Sequence, residues 1–297
     1  MKKFSISIPA SSGNLGPGFD SAGMALNLYL TLHVEERGQW EILHESPYLP
    51  SVTDYTEHLI YQTAEKVAIR YQKQLPGCKV TIESDIPLAR GLGSSASAVL
   101  AGIELANQLC DLNLTSEQKL QYGTEIEGHP DNVAPALYGG IVFSAETADG
   151  IIEHLKTGPG GLELVIYIPD TELKTEKARR LVPDTFSRNH ASSASAISNV
   201  MVAAMLSGDY ALAGRMMERD MFHEPYRAEV IPNYELIRRN AKKKGAFGTV
   251  ISGAGPSMIS FVPDGEGKRV CRDMKEVLSD YDVAVLKIDE MGLKVEK

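Results

Sequence analysis

Pro87-Leu88-Ala89-Arg90-Gly91-Leu92-Gly93-Ser94-Ser95-Ala96-Ser97 stands between an alternating segment, Lys79–Glu83, and a run of small and apolar residues, Ala96–Leu109. The first reads as a strand and the second as a buried helix, so the loop opens a helix directly after a strand. Anions bind at such a place, because the first turn of a helix has unpaired N–H groups and the positive end of the dipole. Gly91 and Gly93 let the backbone approach a phosphate, and Ser94, Ser95 and Ser97 add hydroxyl donors. A serine here can also ligate Mg²⁺. On spacing alone the string reads equally as a glycine turn that caps a buried helix. It is not a Walker loop, since no Gly-Lys-Ser/Thr follows, nor a Rossmann loop, since Ala96 or Ser97 stands where the third glycine would be.

Outward from the loop, Phe4–Ile8 alternates as a half-buried strand, and Leu26, Leu28, Leu30, Leu32 and Val34 share one face of a longer one. Trp40–His44 is a candidate partner. Asp54–Gln74 reads as one helix, with Asp54 and Glu57 as a capping box and Ile60, Ala64, Val67 and Tyr71 as its stripe. Thr115 and Gln118 open another helix. After Gly158-Pro159-Gly160-Gly161 a strand, Leu162–Ile168, leads into helices over Ala191–Leu206, Asp209–Met221 and Asn233–Lys244. Strand 247–251, a Gly-Ala-Gly turn, strand 257–262, a helix to about 279 and strand 281–288 complete the chain. Helices and strands mix without regular βα alternation, which favours α+β over α/β. The expected division is 1–158 and 159–297.

The chain has 297 residues, 43% hydrophobic and 23% charged, as in an ordinary globular protein. Its net charge of −9 argues against a nucleic-acid partner, which needs a basic face. No apolar run is long enough to span a bilayer. Cys78, Cys110 and Cys271 are widely spaced and form no metal motif or disulfide framework. The expected setting is cytoplasmic, with no membrane partner.

Three further segments carry candidate chemistry. In Ala10–Asp20 (ASSGNLGPGFD), Asp20 can accept from an ammonium and Asn14 can bond a hydroxyl or amine; both can equally satisfy local backbone groups. In Glu125–Asn132 (EIEGHPDN), Glu127 can complete a Mg²⁺ site with Ser95, Asp131 is a candidate base, and His129 can bond substrate. The bland reading is a set of turn formers with a solvated Glu127. In Ile251–Ser257 (ISGAGPS), the turn is either a plain hairpin or an anion nest beside the first loop, next to the basic helix carrying Arg238, Arg239 and Lys242–Lys244. Arg179 and Arg227 can each fork onto a carboxylate, or be ordinary surface arginines.

Taken together these segments resemble the GHMP kinases. Pro87–Ala96 matches that family's Pro-x-x-x-Gly-Leu-Gly-Ser-Ser-Ala motif, and Ser252–Ser257 matches its C-terminal glycine motif. The opening 10–20, the run 131–140 (DNVAPALYGG), 175–179 (TEKAR) and 223–227 (HEPYR) look like its homoserine kinase branch. The resemblance implies an α+β pair, a ribosomal-S5-like N-terminal domain and a ferredoxin-like C-terminal domain, forming a homodimer. It implies transfer of a phosphoryl group from ATP to L-homoserine. Residues Pro87–Ser97, Gly253 and Gly255 would hold ATP, and Ser95 with Glu127 would hold Mg²⁺. Asn14, Asp20, His129, Arg179 and Arg227 would bind homoserine, with Glu127, Asp131 and Asn132 at the reaction centre and Asp131 only a weak candidate for a base. An isoprenoid-pathway kinase of the same family and a non-catalytic nucleotide binder are the alternatives.

Overall fold

A computed structural model of the chain describes residues 1–158 and 160–297. The expected boundary at Gly158-Pro159-Gly160-Gly161 includes residue 159, which lies outside the described residues. The first half runs β1 (Lys3–Gly13), β2 (Ala22–Glu36), β3 (Glu41–His44), α1 (Leu59–Arg70), β4 (Cys78–Ser84), α2 (Ser94–Cys110), α3 (Ser116–Glu127), α4 (Val133–Tyr138), β5 (Ile141–Glu146) and β6 (Ile152–Thr157). The second runs β7 (Leu162–Pro169), α5 (Thr175–Arg179), α6 (Arg188–Ser207), α7 (Tyr210–Met217), α8 (Glu224–Arg227), α9 (Tyr234–Lys243), β8 (Gly248–Ile251), β9 (Met258–Pro263), α10 (Gly267–Lys275), β10 (Tyr281–Leu286) and β11 (Lys294–Glu296). The result is α+β. Among the described residues no helix is long and apolar enough to cross a membrane.

Two sheets form. The larger has the order β11-β1-β2-β4-β3, with β5 joined to the early part of β2 and β6 to β5; the smaller is β10-β7-β9-β8. Among the described residues only β3 and β4 run parallel. The last strand, β11, therefore returns to the sheet of the first half. Along β2, Leu30, Leu32 and Val34 are buried, as the alternation predicts. The alternation slips at Asn27 and Leu28, which have no partner on β1: Pro9 pairs with Tyr29 and Ala10 with Leu26. The bulge turns Asn27 toward the smaller sheet's tail, where its backbone and side chain both bond Lys287.

The apolar sides of both sheets share one core. Along β7, Leu164, Ile166 and Ile168 join the core under β1, β2 and α2, while Val165 and Tyr167 face a second cluster under α9 and α10. A strand covered on both sides reads as the continuous apolar run seen at 164–168.

Several elements differ from expectation. Asp54 caps only a single 3₁₀ turn, Tyr55–Glu57. His58 is extended (ψ 127°) and breaks the run; α1 starts at Leu59 with His58 Nδ1 accepting from Ile60 N–H. The Thr115–Gln118 capping box is present in full. Helix α7 stops at Met217 rather than Met221, because Asp220 collects the N–H groups of Phe222, His223 and Glu224 and starts α8 instead. Ser187 caps α6, which starts at Arg188, three residues before the expected Ala191. The β5–β6 hairpin has no clear sequence pattern, because β6 is polar and none of its residues is buried.

Candidate active site

A cavity lies where the two halves meet, lined from the first half by Asn14, Asp20 and the 89–96 loop and from the second by Arg179, Arg227 and Gly253. At its floor α2 begins. Gly93, in the left-handed region at φ 68°, is the N-cap and supplies no side chain to the first turn. The first helical bond is Ser97 N–H to Gly93 O, so the N–H groups of Ser94, Ser95 and Ala96 have no partner within the helix, and all three residues line the cavity. The loop is held by close packing. A Cβ on Gly91 would lie 2.2 Å from Ser252 O, and one on Gly93 2.0 Å from Ser11 Oγ. Ser11 N–H also bonds Leu92 O.

Ser95 stands exposed at this floor, and its Oγ donates to Glu127 Oε1 at 2.6 Å. Glu127 is the last residue of α3, after which Gly128 (φ 83°) turns the chain. Two hard oxygen ligands thus lie side by side next to three free amides. This donor set fits Mg²⁺, which takes one or two protein oxygens and completes its shell with phosphate and water.

Other expected phosphate ligands lie elsewhere or have their polar groups committed to the protein. Pro87, Leu88 and Arg90 line a separate cavity on the far side of the loop. Arg90 spends its guanidinium on Pro169 O (2.9 Å) and Asp170 O (2.6 Å), tying the loop to the end of β7. Ser97 is fully buried and donates to Pro9 O and Gly93 O, so its hydroxyl does not reach the cavity. The amides of Gly253 and Gly255 are used by Gly13 O and Ser252 O. Their turn is therefore a clamp on the loop, with Ser252 Oγ donating to Gly91 O at 2.7 Å, rather than an anion nest. The basic helix α9 also points away: Arg238 and Lys242 both bond Glu218.

At the other end of the cavity, Arg179 and Asp20 form a two-pronged pair, Nη2–Oδ1 2.7 Å and Nη1–Oδ2 3.2 Å. Burial pulls Arg179 down, but the Asp20 hydrogen bond and charge outweigh it and the guanidinium sits above its ordinary pKa. Arg227 is 1% exposed. Burial, and then the nearby charge of Arg179, push it down to about 10. The site therefore sets two cations beside the carboxylates of Asp20, Asp131 and Glu127. Asn14 serves the backbone: Oδ1 accepts from Asp20 N–H at 3.0 Å and Nδ2 donates to Gly253 O at 2.9 Å. This satisfies local groups and also staples the two halves together.

His129, Asp131 and Asn132 are brought together and all are buried. His129 Nδ1 bonds Asp131 Oδ1, which also accepts from Asn132 Nδ2 at 3.3 Å. Burial lowers the His129 pKa, but the hydrogen bond to Asp131 prevails and leaves the imidazole above its ordinary value. Asp131 is thus committed to orienting its neighbours, which weakens it further as a base. The paired Nδ1 leaves His129 Nε2 for a ligand. Thr175, at the start of α5, also lines the cavity. It lies within the TEKAR run, four positions before Arg179, and that spacing on one helical face could have marked it.

The chain matches the model of the GHMP kinases N terminal domain over residues 58–140 and that of the GHMP kinases C terminal over 201–280. It is 52% identical to homoserine kinase from Oceanobacillus iheyensis, covering 100% of both chains. Against homoserine kinase from Halalkalibacterium halodurans identity is 45%, covering 99% of this chain and 95% of the relative. The crystal structure of homoserine kinase from Cytophaga hutchinsonii superposes with a TM-score of 0.86 at 28% identity, covering 99% of this chain and 98% of that one.

Proposed function

The chain belongs to the GHMP kinase family, in its homoserine kinase branch, and from that membership we propose how the cavity carries a phosphoryl group from ATP to L-homoserine. The activity is ATP-dependent phosphorylation of the homoserine hydroxyl to O-phospho-L-homoserine, a step of threonine biosynthesis. The free amides of Ser94, Ser95 and Ala96 receive phosphate oxygens at the positive end of α2. Ser95 Oγ and Glu127 would hold Mg²⁺. When bound, the ion supplies charge neutralisation between the phosphates.

The observation that carries the substrate reading is the Asp20–Arg179 pair beside Arg227. An amino acid offers the same two charges as that pair. Its ammonium can take over Asp20 while its carboxylate takes Arg179 and Arg227. His129, oriented by Asp131, offers Nε2 to the hydroxyl. Phosphoryl transfer needs chiefly positioning and charge stabilisation, which these groups supply without a strong base. An isoprenoid-type alcohol acid has no ammonium and would leave Asp20 uncompensated.

We take the chain as two units, 1–158 and 159–297, with the site in the cleft between them and β11 returning to the first. The reading also carries a homodimer, which sedimentation would test, and a cytoplasmic setting, where ATP and a free amino acid are at hand. The activity is tested by coupled ADP release with homoserine, mevalonate and galactose as separate acceptors. Release that needs homoserine, Mg²⁺ and ATP together is expected; turnover with another acceptor and none with homoserine would overturn the substrate assignment.

A further inference from the structure

His223 is completely buried, and Asp220 nearly so. Neither is used in the scheme above. The Nε2 of His223 faces two acceptors, the Gly16 carbonyl at 3.0 Å and Asp220 Oδ2 at 3.6 Å. A ring nitrogen between two acceptors must carry the proton, and a neutral ring then presents Nδ1 as an acceptor. Nδ1 lies 3.2 Å from Arg227 Nη1, which can only donate. The tautomer is thus fixed from behind and matches the donor in front. Burial and the Arg227 charge favour the same neutral ring, against the pull of Asp220.

Each part of this chain is itself anchored. Asp220 Oδ2 accepts from the N–H groups of His223 (2.9 Å) and Glu224 (2.7 Å). Phe19 lies nearly parallel to the His223 ring at 5.3 Å and 19°. The same phenyl ring is 5.4 Å from the Arg227 guanidinium and 5.9 Å from that of Arg179, in reach of cation–π attraction to both. Arg227 Nε bonds Ala178 O at 3.2 Å and Nη1 also reaches Gly253 O at 3.3 Å. Among the described residues Nη2 has no hydrogen-bond partner, and Arg227 lines the cavity.

We propose that Asp220, His223 and Phe19 are positioning residues that aim Arg227 at the substrate carboxylate and so set the preference for an amino acid over the same alcohol without its carboxylate. The proposal rests on the reading of Arg227 as a carboxylate ligand. Phe19 immediately precedes Asp20, so one short loop supplies the ammonium's partner and braces the carboxylate's partners. Histidine suits the central place because it is a donor on one side and an acceptor on the other, at a fixed separation.

The test uses homoserine and 3-aminopropan-1-ol, which is homoserine without the carboxylate. The two amide variants split the functions of the ring. H223Q keeps a donor toward Gly16 and removes the acceptor for Arg227; H223N keeps the acceptor and removes the donor. H223Q should raise the homoserine KM by about 10- to 100-fold, the loss expected for one hydrogen bond to a charged group. Its kcat should stay within about threefold, and its preference for homoserine over 3-aminopropan-1-ol should fall with the KM effect. H223N should keep the homoserine KM within about threefold of wild type. A wild-type KM in H223Q, or equal losses in both variants, would overturn the proposal. Should H223Q not fold, H223N decides alone: a KM more than about tenfold above wild type sinks the idea, and a smaller change supports it. R227Q separates the two readings. If it leaves the homoserine KM unchanged, the carboxylate assignment itself fails; if it raises the KM and H223Q does not, only the orienting role fails.

Discussion

Glu127 and Ser95, 32 positions apart in the chain, meet because α3 ends where α2 begins. The contact leaves Glu127 a short, fixed reach to whatever Ser95 binds. Glu127→Gln keeps the shape and the hydrogen bond but removes the charge. Turnover should fall on the order of 100-fold, in the range seen when a preorganised charge partner is lost. Nucleotide binding, followed by fluorescence titration of the labelled analogue, should remain within about threefold, because the helix amides are untouched. Turnover near wild type in E127Q would remove Glu127 from the metal site. At this scale the sequence was readable where residue type restricts chemistry: Ser95, Glu127, Asp20, Arg179, His129 and Arg227 all line one cavity. It was unreadable where orientation decides. Ser97 and Arg90 have the right chemistry for a phosphate, but one is turned into the core and the other is committed to β7. His223 is marked in the sequence only as the first residue of the 223–227 run, and its part stays hidden because it depends on Gly16, which is distant in the chain.

Helix α1 shows the same limit one level up. Its apolar stripe was legible, and Ile60, Ala64 and Val67 are buried. Its start was not, because a histidine seldom caps a helix and Asp54 offers the usual signal. His58 caps through Nδ1 while its Nε2 meets His44 Nε2 at 3.0 Å. The cap needs an uncharged ring, because a protonated Nδ1 cannot accept, and burial followed by the His44 charge pushes the His58 pKa down to about 4. A histidine with a depressed pKa is protonated more readily in the unfolded chain, so stability is lost as pH falls from about 6.5 toward 4. Asn caps well and does not titrate. H58N should therefore match wild type near pH 7 but lose less on acidification. At pH 5 the difference should be about 1–2 kcal/mol after screening, or roughly 2–4 °C in melting temperature. Equal acid losses in the two proteins would show that His58 is not the titrating cap.

The molecule as a whole is two sheets sharing a core, and β7 is the strand that joins them. Leu164 and Ile166 pack with residues of β1, β2 and α2, while Val165 and Tyr167 pack beneath α9 and α10. Ile166→Ala should cost about 2–5 kcal/mol, as for buried truncations generally. Calorimetry should still show one transition, because the larger core is continuous across both sheets. Two separated transitions would mean that the halves unfold independently. The mixed α+β class and most elements were legible from periodicity. The return of β11 to the first sheet was not, because three residues carry too little pattern to declare a partner.

The same joining places the amides of α2 from one half opposite Arg227 from the other, and the account stands on their shared cavity. A crystal structure of the chain with Mg²⁺, the non-hydrolysable analogue AMP-PNP and L-homoserine tests this directly. In that complex the Asp20–Arg179 pair is expected to be open, with the homoserine ammonium on Asp20, its carboxylate on Arg179 and Arg227, and its hydroxyl directed at the terminal phosphate above Ser95. Homoserine bound elsewhere, with the Asp20–Arg179 pair intact, would contradict it.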